Sequence, residues 1–278
     1  IASGKSSLSF ICSVAGGIAN IILDYVFIQI LGMGIGGAAV ATGMGYSVTT
    51  AVGFIVFSQR KNMLHFVKPV YRFSVLKKTV TNGCSEMATA LVTGITTLIF
   101  NWTMLKYVGE DGVAAITIIM YVLMFVSSLF SGYSYGAAPM ISYYYGAQNH
   151  LKLKKLVRLS LKIITGISIS AALISLLITE PLVSVFQLAV TGNRICTTAL
   201  LFIGFNIFSS GMFTALNNGI VSAVLAFTRS FVFMIVCLLA LPALLGVTGI
   251  WLANPAAELL AVILAAWMLM KYRKKYRY

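Results

Sequence analysis

The chain has 278 residues, of which 59% are hydrophobic and 9% are charged, and its formal net charge is +14. Apolar runs of about 20 residues recur along the sequence, a composition typical of proteins that cross a lipid bilayer several times, and this excludes a soluble globular domain. The first run, residues 9–31, is longer than the core of a secretory signal and is followed by others, so these segments are expected to stay in the membrane.

The apolar runs predict an all-α fold, a polytopic membrane helix bundle of about eight transmembrane helices. The longest hydrophilic connection, 59–82, is interpreted as a cytoplasmic linker. It separates the end of an N-terminal lobe, two helices within 1–58, from a six-helix C-terminal lobe at 83–278. The predicted helices cover residues 10–31, 36–58, 84–107, 113–145, 157–179, 195–216, 228–245 and 249–270.

The basic residues are distributed unevenly between the two sides of the membrane. They lie in clusters between apolar runs rather than on one soluble face, so nucleic-acid binding is not expected. Of the 20 Lys and Arg residues, only Lys106 and Arg194 fall on the outer side. The positive-inside rule therefore predicts that both chain ends are cytoplasmic. The residues assigned to the cytoplasmic side are Lys5, Arg60, Lys61, Lys68, Arg72, Lys77, Lys78, Lys152, Lys154, Lys155, Arg158, Lys162, Arg229, Lys271, Arg273, Lys274, Lys275 and Arg277.

A short internal repeat connects the first and last helix pairs. Residues 34–42 align with 246–254, sharing two glycines three residues apart and an alanine four residues later. Each copy follows one predicted helix and opens the next on the outer side. If the first lobe matches the second, about 130 residues, or about four helices, are expected to precede this sequence, which begins at Ile1.

Three stretches resemble the multidrug and toxic compound extrusion (MATE) family. NIILDYVFI at 20–28 and GMGIGGAAVAT at 32–42 are similar to its fifth and sixth helices. NGCSE at 82–86 with IFN at 99–101 is similar to helix seven. GAAPMISYYYGAQN at 136–149, with the basic run behind it, is similar to the cytoplasmic end of helix eight.

The resemblance implies an architecture of twelve helices in two six-helix lobes related by a pseudo-twofold axis along the membrane normal. It implies a monomer in a bacterial or archaeal plasma membrane, with a central cavity for small-molecule lipophilic cations. These would leave the cell in exchange for protons or sodium, without a resident cofactor.

Three acidic residues fall within apolar helices, where a charge costs at least about 2.5 kcal/mol and therefore needs a reason. Asp24 has Asn20 one turn away, which fits either an ion-pathway site or a structural polar pair. Glu86 lies near a cytoplasmic helix start, where a carboxylate also suits the helix dipole. Glu258 follows Pro255, whose missing N–H frees a carbonyl and favours a kink, so it fits either a moving pathway or packing against a polar neighbour.

The coupling ion is inferred from two positions. The sodium-coupled branch of the resembled family has mid-membrane acids on helices seven and ten, and the corresponding residues here are Gly94 and Asn206. Neither is acidic, so protons are expected rather than sodium. The resemblance then implies a proton-binding Asp on helix one of the full-length protein, ahead of this sequence. Asn101, in the helix-seven stretch, and Asn206 are retained as candidate pathway residues.

Aromatic side chains could contact a cationic cargo through their ring faces. Tyr121 and Tyr133, with Tyr135 and Met124, are the candidates on the predicted helix 113–145. Tyr is also common at membrane interfaces, and Met fills irregular gaps in cores, so packing is the simpler explanation for each of these residues.

Two other classes of protein fit the sequence less well. A lipid-linked oligosaccharide or polysaccharide flippase of the same superfamily should have a basic cavity, whereas the intramembrane charges here are read as acidic. A membrane-embedded enzyme needs clustered acids or histidines, but His65 and His150 lie in separate basic connections. No catalytic residue is therefore predicted. The four cysteines have no CxxC spacing, so neither a metal site nor a disulfide is predicted.

Overall fold

A computed structural model describes residues 6–61, 65–68, 70–183 and 187–278, with side chains except those of residues 6, 77–78, 81–90, 178, 180–183 and 187–189. Lys5, Lys77, Lys78, Cys84 and Glu180 thus lie outside the described side chains. The chain forms two compact units, Ile1–Arg72 and Phe73–Tyr278.

The first unit contains a helical pair. α1 (Ser6–Asp24) continues as a π-helical segment, Tyr25–Ile30, and α2 (Gly34–Ser58) returns after a short turn. The two helices approach closely through small residues, because a Cβ atom on Gly16 would lie 2.5 Å from Thr49 Oγ1 and one on Gly45 would lie 3.0 Å from Asn20 Cβ. Glycine contacts of this kind are typical of helix packing in membranes.

The second unit is a helical bundle whose largest fully buried side chain is Trp251. Pro255 has no N–H to bond the backbone oxygen of Trp251, and that oxygen accepts a hydrogen bond from the Cys196 thiol instead, at 3.3 Å.

The described part of the second unit is made of helices. They are α3 (Phe73–Tyr107), α4 (Glu110–Gly146), α5 (His150–Val183), α6 (Gln187–Cys196), a 3-10 turn (Thr197–Ala199), α7 (Leu200–Ala215), α8 (Gly219–Phe227), a π-helical segment (Thr228–Phe233), α9 (Met234–Leu245) and α10 (Val247–Tyr276).

The all-α membrane fold is confirmed. Within the described residues, 7 helical stretches are long and apolar enough to cross a bilayer. The remaining predicted span, 84–107, lies within α3. Large apolar side chains also cover the bundle surface, among them Ile220 at 80% exposure and Leu244 at 78%, as expected for residues that face lipid.

Helix ends differ from the prediction, especially at basic ends. Residues 73–82 were assigned to the linker but belong to α3, and α5 begins at His150 rather than near residue 157. Lys and Arg are good helix formers, and their long side chains reach water from a helix end. A basic cluster therefore marks the membrane boundary without marking the end of the helix.

The assignment of Arg229 to the cytoplasmic side, at the start of the predicted helix 228–245, is wrong. Helix α8 begins at Gly219, after the cap residue Asn218, and the span continues through the π-helical segment to Leu245. Arg229 lies ten residues into this span, about 15 Å from its start. Seventeen of the 20 basic residues then remain on the predicted cytoplasmic side.

The two copies of the internal repeat share their local structure. Gly34 and Gly246 both have positive φ, at +57° and +59°, a conformation that favours glycine. The second glycines are both tightly packed: a Cβ atom on Gly37 would lie 2.9 Å from a side-chain carbon of the preceding turn, and one on Gly249 would overlap the carbonyl group of Leu241. The shared alanines, Ala41 and Ala253, are fully buried. Superposition of the two helix pairs stays a prediction.

Candidate functional site

The second unit contains a cavity of about 540 Å³, called here the polar cavity. Its lining combines hydroxyl groups with apolar side chains. Thr93, Thr96 and Thr97 of α3 contribute from one wall, and Met124 and Tyr135 of α4 from another. A mixed lining of this size suits a drug-sized amphiphile.

An ion pair stands in the wall of the polar cavity. Arg229 Nε donates to both carboxylate oxygens of Glu258, at 2.8 Å to Oε1 and 3.0 Å to Oε2. Asn206 Nδ2 donates to Glu258 Oε2 at 2.7 Å and to the Glu258 backbone oxygen at 3.0 Å. The side chains of Arg229 and Glu258 are 20% and 5% exposed. Three helices therefore meet at one carboxylate.

The ion pair lies near mid-membrane depth. Glu258 is eleven residues from the start of α10, or about 16 Å, and Arg229 is about 15 Å from the opposite end of its own span. Since the hydrocarbon core is about 30 Å thick, the two distances place the pair near its centre. Isolated charges at this depth are costly, and mutual pairing offsets part of that cost.

Local irregularities accompany both charged residues. Arg229 belongs to the π-helical segment Thr228–Phe233, and π-helical turns are frequent at functional sites. Glu258 follows Pro255, as the sequence indicated, and α10 continues through both.

Polar groups elsewhere in the lining are partly satisfied by one another. Ser222 Oγ lies 2.9 Å from Ser210 Oγ and 2.7 Å from Thr214 Oγ1. By contrast, Ser134 Oγ and Asn206 Oδ1 are buried and have no hydrogen-bond partner in the described residues. The lining therefore contains a cluster of hydroxyl groups that bond one another, and two buried polar atoms that have no partner among the described residues.

Two predicted site residues, Asn206 and Glu258, come together directly in the polar cavity. The structure places the others of the second unit elsewhere. Tyr133 hydrogen-bonds Ser160 Oγ at 3.0 Å, Tyr121 is 64% exposed, and Asn101 is half-buried outside the described lining. The Glu86 side chain lies outside the described residues, so its role stays a prediction.

The remaining predicted pair, Asp24 and Asn20, belongs to the first unit. Both side chains are half-buried. Asn20 donates to Thr42 Oγ1 at 3.4 Å, a contact with α2 rather than with Asp24. One carboxylate oxygen of Asp24 is buried without a hydrogen-bond partner in the part of the chain described.

Arg229 is a residue of this candidate site that sequence reasoning missed. A signal was available: it is the only charged residue between Gly219 and Leu245, whereas the cytoplasmic clusters each contain several basic residues. A single arginine within 27 apolar residues needs an acidic partner in the membrane, and Glu258 is the acid on the next helix.

Comparison with known proteins supports the fold and identifies the family. The MatE family model matches residues 86–248, more than half of the chain. The multidrug export protein MepA of Staphylococcus haemolyticus is 26% identical over 287 residues, which cover 99% of this chain and 62% of MepA. MepA of Staphylococcus aureus is 24% identical, with 98% and 61% covered.

Two solved structures share the fold. A mutant of the Vibrio cholerae MATE transporter VcmN has a TM-score of 0.86 at 20% identity, covering 100% of this chain and 65% of that chain. A MOP superfamily transporter from Pyrococcus furiosus has a TM-score of 0.86 at 21% identity, covering 96% and 63%. The chain spans less than two thirds of each relative. It is a multi-pass membrane protein and belongs to the MatE family.

Proposed function

We propose that the full-length protein exports drugs, chiefly lipophilic organic cations, across a bacterial or archaeal plasma membrane by antiport. The observation that supports this most is the polar cavity, which combines hydroxyl, amide, methionine and tyrosine groups at mid-membrane depth in a chain of the MatE family. The relatives that carry the name multidrug export protein match nearly the whole chain.

Protons are the proposed coupling ion. Gly94 and Asn206 stand where the sodium-coupled branch has acids, and the charge of Glu258 is already balanced by Arg229. Asp24 makes no ion pair with a described residue, and one of its carboxylate oxygens is buried without a partner there. Among the described acids, Asp24 is therefore the one best suited to exchange a proton during transport.

The proposal includes the orientation and the assembly state. Both chain ends lie in the cytoplasm, because most basic residues still fall on that side after the correction of Arg229. The transporter acts as a monomer with lipid and small-molecule partners and without a resident cofactor.

The flippase alternative is less well supported. Recognition of a pyrophosphate-linked lipid needs an excess of positive charge, whereas the described lining of the polar cavity carries one arginine balanced by one glutamate. For a membrane-embedded enzyme, the described residues contain no group of three or more His, Cys, Asp or Glu able to hold a metal.

The experiment uses inverted membrane vesicles that contain the full-length protein. A pH gradient should drive accumulation of a fluorescent organic cation in sodium-free buffer. Asp24→Asn should weaken accumulation more than Glu86→Gln, because Asp24 is the proposed proton-exchanging acid.

Two results would contradict the proposal. Accumulation that requires a sodium gradient would show that the coupling ion is wrong. Accumulation that persists after the pH gradient is collapsed, and equally in Asp24→Asn, would show that proton exchange at Asp24 does not drive transport.

A further inference from the structure

The terminal nitrogens of Arg229 are available to a ligand. A guanidinium group has five N–H donors, and only the Nε donor is used, in the bonds to Glu258. Neither terminal nitrogen has a hydrogen-bond partner in the part of the chain described. The Arg229 side chain lines the polar cavity and is 20% exposed. Among the described residues, four N–H donors of this partly exposed cation therefore have no partner.

The Glu258 carboxylate has less room to bind a cationic ligand. Both of its carboxylate oxygens already accept hydrogen bonds, from Arg229 and from Asn206, and its side chain is only 5% exposed. In the described lining these two residues carry the only charges. Although the pair is neutral overall, the charge that a molecule in the polar cavity can reach is the positive one.

Asn206 binds the carboxylate partner of this cation. Its Nδ2 contacts two oxygen acceptors, which establishes which way the amide points. Its Oδ1 is buried and has no partner in the described residues. Because this oxygen is buried, Asn206 holds Glu258 in place, and Arg229 is the charged group of the pair that a ligand can reach.

We infer that Arg229 is the residue of the polar cavity that selects amphiphiles carrying a carboxylate, including zwitterions, by holding the carboxylate with its terminal nitrogens. Guanidinium and carboxylate groups match as a planar, bidentate pair, and such bonds are shorter and stronger than neutral ones. The apolar part of the ligand contacts Met124, Leu123 and Tyr135. This inference rests on the proposed function in one respect, that the polar cavity holds transported cargo.

The test uses tetramethylrhodamine, which has a free carboxylate, and its methyl ester, a lipophilic cation with the same ring system. Fluorescence anisotropy measures the affinity of each for the purified full-length protein at neutral pH. The ratio of the two affinities is the readout, because general losses of binding cancel in it. The carboxylate form should bind at least about tenfold more tightly than the ester.

Two variants of the Arg229–Glu258 ion pair test the role of Arg229. Arg229→Gln combined with Glu258→Gln removes both charges and leaves no unpaired buried carboxylate, and the ratio should fall to about one. Arg229→Lys keeps a cation beside Glu258 but lacks the planar fork, so the ratio should fall at least about threefold. Arg158→Gln, an exposed arginine of α5 outside the polar cavity, is the matched control and should leave the ratio unchanged.

The outcomes separate this inference from the proposed function. Equal affinity of the two probes for the unmodified protein, or an unchanged ratio in either Arg229 variant, overturns the inference. If the ester is exported on a pH gradient in that case, the proposed function stands. If the Arg229-dependent preference is found but a pH gradient moves neither probe, the binding site stands and the proposed function falls.

Discussion

The ion pair of Arg229 and Glu258 makes a quantitative prediction for stability. Arg229→Gln removes the cation and leaves Glu258, only 5% exposed, with Asn206 as its remaining side-chain donor. Breaking a buried pair from one side typically costs about 3–5 kcal/mol, because the other charge stays buried without compensation. We expect a loss of this size for the single variant.

The reverse variant should cost less. Glu258→Gln leaves the Arg229 side chain 20% exposed to the polar cavity, where water can solvate the guanidinium group. The expected loss is about 1–3 kcal/mol, the cost of leaving one buried polar partner unsatisfied. The double variant removes both charges, so it should lose clearly less than the sum of the single variants.

The assay is the midpoint of thermal unfolding of the detergent-solubilised full-length protein, followed by fluorescence-detected size-exclusion chromatography. With a shift of about 2–4 °C per kcal/mol, Arg229→Gln should lower Tm by about 6–20 °C. Arg158→Gln is the control: this exposed arginine makes no ion pair with a described residue, so Tm should change by no more than about 2 °C. Equal shifts for Arg229→Gln and Arg158→Gln, or strictly additive losses in the double variant, would refute the reasoning.

Two further predictions concern topology and the internal repeat. In a protein without native cysteines, Glu110→Cys should react with a membrane-impermeant reagent added outside the cell and Lys274→Cys should not; labelling of Lys274→Cys would reverse the proposed orientation. Gly249→Ala should lower Tm strongly, since its Cβ would overlap the Leu241 carbonyl group, whereas Gly166→Ala, with open space around it, should leave Tm unchanged or raise it. Similar effects of both alanine variants would show that close packing at Gly249 is not required.

The membrane fold could be predicted because a bilayer imposes a simple length rule. A spanning helix needs about 20 apolar residues, and such runs can be recognised without knowing their neighbours. The repeat at 34–42 and 246–254 was similarly accessible, because a left-handed turn followed by a tightly packed helix start demands glycines at fixed spacing. Helix ends were less predictable, since Lys and Arg are compatible with both a helix and a loop.

The candidate site was only partly predictable for a different reason. Asn206 and Glu258 stood out as polar residues in apolar segments, but their hydrogen bond joins residues 52 positions apart and depends on how the helices pack. Arg229 was misassigned because the charge-counting rule treats basic residues as loop markers. Its position inside a span reverses one expectation: in the polar cavity, the accessible charge is a cation rather than an acid.

The most direct measurement of the central claim is proton movement driven by a drug. The full-length protein is reconstituted into liposomes that trap a pH-sensitive dye, in sodium-free buffer, and a gradient of a lipophilic cation is imposed. Antiport predicts that protons move opposite to the cation, and that Asp24→Asn weakens this movement while the protein remains folded. Cation flux without protein-dependent proton movement, or flux that appears only with sodium on the opposite side, would contradict the account.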